Sequence, residues 1–374
     1  MSTLIAHEWI EATGGAEAVM DSLTMSFPES LIFTLWNNRQ SSKTPSVEIM
    51  ESWLARSPLR GHKALSLPLM STTWQNSYLP RVDRVISSSH LFAHHISSNR
   101  HLRDVVKYSY IHSPARYIWY PEIDGRLGKL NSIDMITANL KRVDQRMAKF
   151  TDHFAANSQF VANRIHNCWD IDQVTVIYPP VDLKKFSTLK SRINSGDTSN
   201  VSDRAIKTPS EFLLSAGRLV SYKRVDLTLK LARLLNLPIV IVGDGPDLGK
   251  LKLLAKELEA NAIFLGKVTD ETLAYLYAKA LAYVLMGQED FGIMAVEALA
   301  SGARILANGV GGYSEIVQNR VSGILCESDD LEIWKSGFDE LSRLATPESN
   351  PFLEKFSSES FDKNIRFWTE SDVL

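Results

Sequence analysis

EFLLSAGRLVSYKRVDLTLKLARLLNLPIVIVG, residues 211–243, holds a strand, a helix and a second strand in that order. EFLLSAG and LPIVIVG are short apolar runs suited to buried strands. VDLTLKLARLL between them repeats its apolar residues at helical spacing. The alternation continues downstream: DLGKLKLLAKEL reads as a helix, AIFLG as a strand, ETLAYLYAKA as a helix and LAYVLM as a strand. FGIMAVEALASG is again helical, ARILAN is a strand, and GYSEIV opens another helix. Strands alternating with helices predict a parallel, doubly wound α/β sheet.

The first half repeats the theme less regularly. Strands are expected at Leu4–His7, Leu31–Trp36 and Arg84–Ser87, before His112, up to Asn157, and in VTVIY before Pro179 and Pro180. Helices are expected from near Ala16 and from Asn131 to about Phe150. The segment Asn37–Asn76 reads as loops with one or two helices, and the polar stretch 187–210 as a mobile loop. With 374 residues the chain favours two domains, and the proline pair marks a break. The expected division is 1–178 and 179–355.

Composition is that of an ordinary globular protein, and a formal net charge of -2 gives no argument for nucleic acid. Residues 1–180 carry 18 Lys and Arg against 16 Asp and Glu, a faint basic excess. No signal peptide is apparent, and no apolar run is long enough to span a bilayer. Two cysteines, Cys168 and Cys326, are too few for a disulfide framework or a thiolate metal site. A cytoplasmic location is the default expectation.

In open α/β sheets ligands sit beyond the carboxyl ends of strands, and several candidates occupy that position. Gly14 and Gly15 precede a helix, where backbone can approach a phosphate; taken alone, a plain strand-to-helix turn is the better reading. Arg218 and Lys223, after a buried strand, offer two cations for a diphosphate, against the commoner fate of solvated surface charge. VGDGPDLG (242–249) fails the dinucleotide fingerprint by one residue, so it reads as a tight turn with a capping Asp. Glu297 stands in the apolar helix FGIMAVEALA, where an ionised carboxylate needs a hydrogen-bonding partner; a ribose diol is one. Glu289 lies in the preceding loop, and a phosphate is favoured near that helix start. His112 ends a strand at a cleft edge. His90, His94 and His95 suggest a surface cluster without a completing carboxylate. Tyr117, Trp119 and Tyr120 suit either sugar stacking or a core role.

Taken in order, GGAE, YIHSPARYIW, NSQFVANRI, VIYPPVD, GR-x4-K, GDGP, the Glu289/Glu297 pair with its FG, and GGYSEIV resemble the family 4 retaining glycosyltransferases of the GT-B fold. The match runs from Ala6 to about Ser328. HEWI with GGAEAV, DRVISSSHLFAHHI and YIHSPARYIW resemble bacterial mannosyltransferases of O-antigen and exopolysaccharide assembly. The resemblance implies two Rossmann-like doubly wound domains facing a central cleft. The first domain would bind the acceptor and the second the donor, with a C-terminal helix, 356–374, packing back on the first.

It further implies transfer of a hexose from a nucleotide sugar to a hydroxyl of a glycan or lipid-linked glycan, with retention, without metal and without a cofactor beyond the donor. GDP-mannose leads, with UDP-sugars next. By position, Arg218 and Lys223 would contact the diphosphate and Glu297 the ribose. Glu289, with backbone N–H groups around Phe291 and Gly292, would hold the sugar, and Ile293 would belong to the donor-binding set. His112 would contact that sugar, and Gly14 and Gly15 would bring backbone against phosphate or acceptor. Asp290 follows Glu289 where the family commonly has a small residue. Peripheral association with the cytoplasmic membrane face is implied, no nucleic-acid partner is, and the oligomeric state is left open. A nucleotide-sugar epimerase or phosphorylase of the same architecture and a non-catalytic nucleotide-sugar-binding protein are the rival readings. His7, Glu8 and Trp9 have no assigned role.

Overall fold

The computed structural model describes residues 2–39, 47–121, 131–345 and 350–370, without the side chains of 131–136. Part of the expected loop region before Asn76 (40–46) and the last residues of the expected C-terminal helix (371–374) lie outside the described residues. The chain separates into two compact units, Met1–Pro180 with Ser358–Leu374, and Val181–Ser357.

Unit 1 is a seven-stranded parallel sheet in the order β3-β2-β1-β4-β5-β6-β7. Its strands are β1 (Thr3–His7), β2 (Leu31–Thr34), β3 (Ile49–Glu51), β4 (Arg84–Ser89), β5 (Val106–Ile111), β6 (His153–Ala156) and β7 (Val174–Val176). β1 is central and wholly buried because both faces are covered: Leu4 and Ala6 enter one core and Ile5 the other. Leu4 pairs with Leu31 on one side and Val85 on the other, which fixes that alternation. The helix Ser358–Glu370 belongs to this unit. Its Phe361, Ile365 and Trp368 share a core with Ile5, Val19, Tyr108 and Tyr110, the helical spacing of an apolar stripe. β3 was not expected; three residues are too few to show a period.

Unit 2 is a six-stranded parallel sheet in the order β10-β9-β8-β11-β12-β13. The strands are β8 (Leu213–Ala216), β9 (Ile239–Val242), β10 (Ala262–Gly266), β11 (Ala282–Leu285), β12 (Ile305–Asn308) and β13 (Gly323–Cys326). Building runs outward from β8 through β9 and β10, then returns to β11 on its other side, so the winding reverses between β8 and β11. Such a reversal opens a crevice at the carboxyl ends of the strands.

One expectation fails here. Much of the supposed mobile loop 187–210 is helical, in Leu183–Asn194 and Asp203–Ile206. Phe186, Leu189 and Ile193 are buried at helical spacing and pack with Ala274. The stripe starts one residue before the segment judged polar. Asp182 caps the helix, accepting from the Lys185 backbone N–H at 2.9 Å.

Candidate functional site

The loop after β8 and the loop after β9 are stitched together by backbone. Gly217 N–H donates to Val242 O at 3.0 Å, Leu219 N–H to Asp244 O at 2.9 Å and Asp247 N–H to Leu219 O at 3.2 Å. A Cβ on Gly243 would stand 1.9 Å from Gly217 O, and the residue has φ +119°, so only glycine fits. This is the use of the GDGP run: it brings the Arg218 loop close to the sheet. The expected capping by Asp is corrected, since Asp247 begins the helix Leu248–Glu257 without a side-chain cap, and the Asp244 side chain accepts from the adjacent Gly245 N–H at 2.8 Å.

On the other side of the reversal, the chain leaves β11 through Gln288, Glu289 and Asp290 and enters the helix Ile293–Ala300. Gly292 sits at its start with φ +107°, against the Tyr313 ring, and no side chain caps the helix. Phe291 is buried beside Phe356, ring centroids 5.5 Å apart. An uncapped helix start carries partial positive charge and backbone donors.

Lys223 and Glu289 meet across this gap, Nζ to Oε1 at 2.8 Å, with side chains 19% and 14% exposed. Burial alone would lower the Lys223 pKa, but Glu289 and the neighbouring Tyr283 and Tyr222 outweigh it and hold the ammonium charged well above its usual range. Arg218 is exposed on the same loop and makes no side-chain hydrogen bond or ion pair among the described residues. A small pocket is lined by Gly217, Arg218, Lys223, Leu285 and Tyr313. Two cations, one carboxylate and a helix start thus share the strand-end crevice of unit 2.

Glu297 is one helical turn further in. Burial first, and then the charge of Asp270, push its pKa up to about 7, against the pull of Lys185. Its carboxylate has no hydrogen-bond partner among the described residues. Tyr283 was missed in the sequence reading: its hydroxyl donates to Ala216 O at 2.9 Å, and it feels the charges of Lys223, Glu289 and Glu297. Nothing in a buried strand tyrosine signals that position in advance.

In unit 1, His112 follows β5. Its Nε2 lies 2.8 Å from Ser88 Oγ, which also touches His7 Nδ1 at 3.2 Å. Burial and the nearby His90 and His7 push the His112 pKa down to about 3, so the ring is neutral at physiological pH. Gly14 is extended, not left-handed, and accepts from Ala18 N–H at 3.0 Å; Gly15 is the first residue of the helix Gly15–Ser26. The Glu17 carboxylate packs over Gly14, where a Cβ would have to displace it. The phosphate-approach reading of Gly14 and Gly15 thus shares its place with an internal carboxylate.

Glu8, unassigned from sequence, is fully buried at the end of β1. Its Oε1 accepts from Ser89 Oγ and the backbone N–H groups of His90, Leu91 and Ala93 at 2.8–3.0 Å. Burial would raise its pKa, but His90, His7 and these donors prevail and hold it well below the carboxylate range. In return Glu8 outweighs burial and raises His90, whose Nδ1 is 3.1 Å from Glu8 Oε2.

The surface-cluster reading of the histidines is wrong for two of the three. His94 and His95 are wholly buried, and the missing carboxylate is Asp144. Asp144 Oδ1 faces His95 Nε2 at 2.9 Å and His94 Nε2 at 3.2 Å, while Oδ2 accepts from the Trp119 and Trp169 indoles at 2.7 and 2.8 Å. Four ring nitrogens surround one anion, an arrangement that satisfies a buried carboxylate with protons. Trp119 is half-buried and packs against the core, and the Tyr120 hydroxyl lies 3.4 Å from Cys168 Sγ. The partner of each histidine lies about fifty residues away, beyond any local spacing rule.

Residues 198–354 match the family model for glycosyl transferases group 1. The chain is 26% identical over 239 residues to an uncharacterized glycosyltransferase of Haemophilus influenzae, covering 59% of this chain and 65% of that protein. It is 28% identical over 250 residues to a D-inositol 3-phosphate glycosyltransferase of Nocardioides sp., covering 59% and 51%. The aligned parts thus span between half and two thirds of those relatives' length. The structure of Anabaena HepE in complex with UDP-glucose superposes with a TM-score of 0.68 at 16% identity, covering 99% of this chain and 100% of that one. The fold is GT-B: two Rossmann-like units, each with a parallel sheet.

Proposed function

We propose that the protein is a retaining glycosyltransferase. It moves a hexose from a nucleoside diphosphate to a hydroxyl of a glycan or lipid-linked glycan. The observation that carries this is the Lys223–Glu289 pair beside Arg218 and an uncapped helix start, at the winding reversal of unit 2. The family model matched over residues 198–354 supports the same class of chemistry.

The mechanism follows from the charges. When the glycosidic bond to the diphosphate breaks, negative charge grows on the leaving phosphate. Arg218, Lys223 and the N–H groups of Phe291, Gly292 and Ile293 stabilise it, without need of a metal. Binding of the diphosphate draws Lys223 off Glu289, and the freed carboxylate accepts hydroxyls of the sugar. Glu297 in its ionised form takes the ribose diol. His112, neutral and oriented by Ser88, serves unit 1 as a hydrogen-bonding contact and not as a cation. The resemblance of the first half favours GDP-mannose as donor, with UDP-glucose as the main competitor.

The test is calorimetric binding of GDP, UDP, GDP-mannose and UDP-glucose, followed by turnover and by the anomeric configuration of the product. Arg218→Ala and Lys223→Ala are expected to weaken diphosphate binding and each to lower kcat by about 10²–10³. Unchanged binding and turnover in both variants would remove the assignment. Hydrolysis or isomerisation of the donor regardless of acceptor would favour an epimerase-type reading.

A further inference from the structure

We propose that His7 and Ser88 are positioning residues for His112: they keep its proton on Nδ1 and make the ring a fixed hydrogen-bond donor toward an oxygen of the transferred sugar. This rests on His112 being the sugar contact of unit 1, and it gives a role to His7, which the mechanism leaves unused. Three neighbouring strands bring the residues together. β1 pairs with β4 with His7 opposite Ser88, and β4 pairs with β5 with Ser88 opposite Tyr110. His112 stands two residues beyond Tyr110, so the side chains share one face of the sheet. The His112 backbone is held separately. Its N–H donates to Ser89 O at 2.8 Å, and its carbonyl accepts from Asn157 Nδ2 at 2.9 Å.

Counting protons decides the tautomer. Both rings are neutral: burial lowers the His7 pKa against the charge of Glu8, as it lowers that of His112. Each ring therefore carries one proton, and the Ser88 hydroxyl one more. Each contact through Ser88 Oγ, to His7 Nδ1 and to His112 Nε2, takes one of these. The last is left on His7 Nε2 or on His112 Nδ1. His7 is wholly buried and its Nε2 is enclosed without a hydrogen-bond partner, so an N–H there would be an orphaned donor. His112 is half-buried, and its Nδ1 makes no hydrogen bond among the described residues. A proton there can meet a ligand. The distances agree: 2.8 Å to His112 Nε2 suits a donating hydroxyl, and 3.2 Å to His7 Nδ1 suits a donating ring N–H. Ser88 thus accepts from His7 and donates to His112. The sugar group facing Nδ1 is recognised through a lone pair, which a hydroxyl has and a deoxy position lacks.

The experiment uses the full chain with 15N-labelled histidine and long-range proton–nitrogen correlation, which reports which ring nitrogen is protonated. The His112 signals are the ones missing from His112→Gln. They are expected to show Nδ1 protonated and Nε2 bare, without any substrate present. Ser88→Ala should move them toward a mixture of tautomers, and Ser88→Thr should restore them. In turnover, Ser88→Ala and His7→Leu should each lower kcat/KM by several-fold to about tenfold. Ser88→Thr should recover most of the first loss. His7→Asn, whose amide N–H replaces Nδ1–H, should recover most of the second. A parent spectrum with Nε2 protonated would overturn the proposal even if no variant folds. So would a His112 signal unmoved by Ser88→Ala, or equal losses of turnover in the Ala and Thr variants. The spectrum needs neither donor nor acceptor, so its failure is distinct from a failure of the glycosyltransferase reading.

Discussion

Glu297 titrates near 7, in a helix whose other inward residues are Ala295, Val296, Ala298 and Leu299. Its pKa is raised above the ordinary 4.5 of a free Glu, so folding binds a proton that the unfolded chain releases. Stability contributed by the neutral form is therefore complete below about pH 4.5 and lost as pH rises to about 7, then flat. Glu297→Gln should remove this slope and melt higher than the parent at pH 8, by roughly 2–3 kcal/mol, with the two alike at acid pH. Nucleotide binding should run the other way. A diol is held by the carboxylate, so affinity improves through pH 7 and binding below it releases a proton. Calorimetry in two buffers of different ionisation enthalpy reads that proton directly. Affinity independent of pH would detach Glu297 from the ribose.

The junctions between strands and helices carry the site, and they are set by glycine more than by charge. Gly243 has a positive φ and lies against Gly217 O, whereas Gly249 in the next helix has nothing within 4 Å of its missing Cβ. Gly243→Ala should cost about 3 kcal/mol or more, adding backbone strain to overpacking, and should displace the Arg218 loop so that diphosphate binding falls with it. Gly249→Ala should gain about 0.5–1 kcal/mol by helix propensity alone. Urea melts of the two variants give opposite signs if the loop geometry is right. The sequence pattern identified both loops as strand ends. It did not show that two loops twenty-five residues apart close on each other, because that contact is made by backbone atoms common to every residue.

Unit 1 closes only when the end of the chain returns to it. Phe361, Ile365 and Trp368 are buried with Ile5, Val19 and Tyr110, and Ser26 Oγ donates to Asp362 Oδ1 at 2.6 Å. Burying three such side chains stabilises by about 5–9 kcal/mol, comparable to the whole stability of a domain. A chain ending at Ser357 should therefore lose the cooperative melt of unit 1 and bind apolar dyes, while the strands of unit 2, all before that residue, keep a separate transition. Two intact transitions in the shortened chain would show the helix to be dispensable.

Hydrophobic period was enough to predict two parallel sheets and the strand ends at which Arg218, Lys223, Glu289 and His112 stand. Those are local properties, set by neighbours within one helix turn or one strand. Tertiary structure decided that Lys223 and Glu289 face one another, and that Asp144 sits among two histidines and two tryptophans. It also turned Glu8 inward onto the turn after β4, and folded a polar-looking segment into the helix Leu183–Asn194. Each of these joins groups far apart in the chain, and the energy that selects them, satisfaction of a charge removed from water, exists only once the sheets have closed around it.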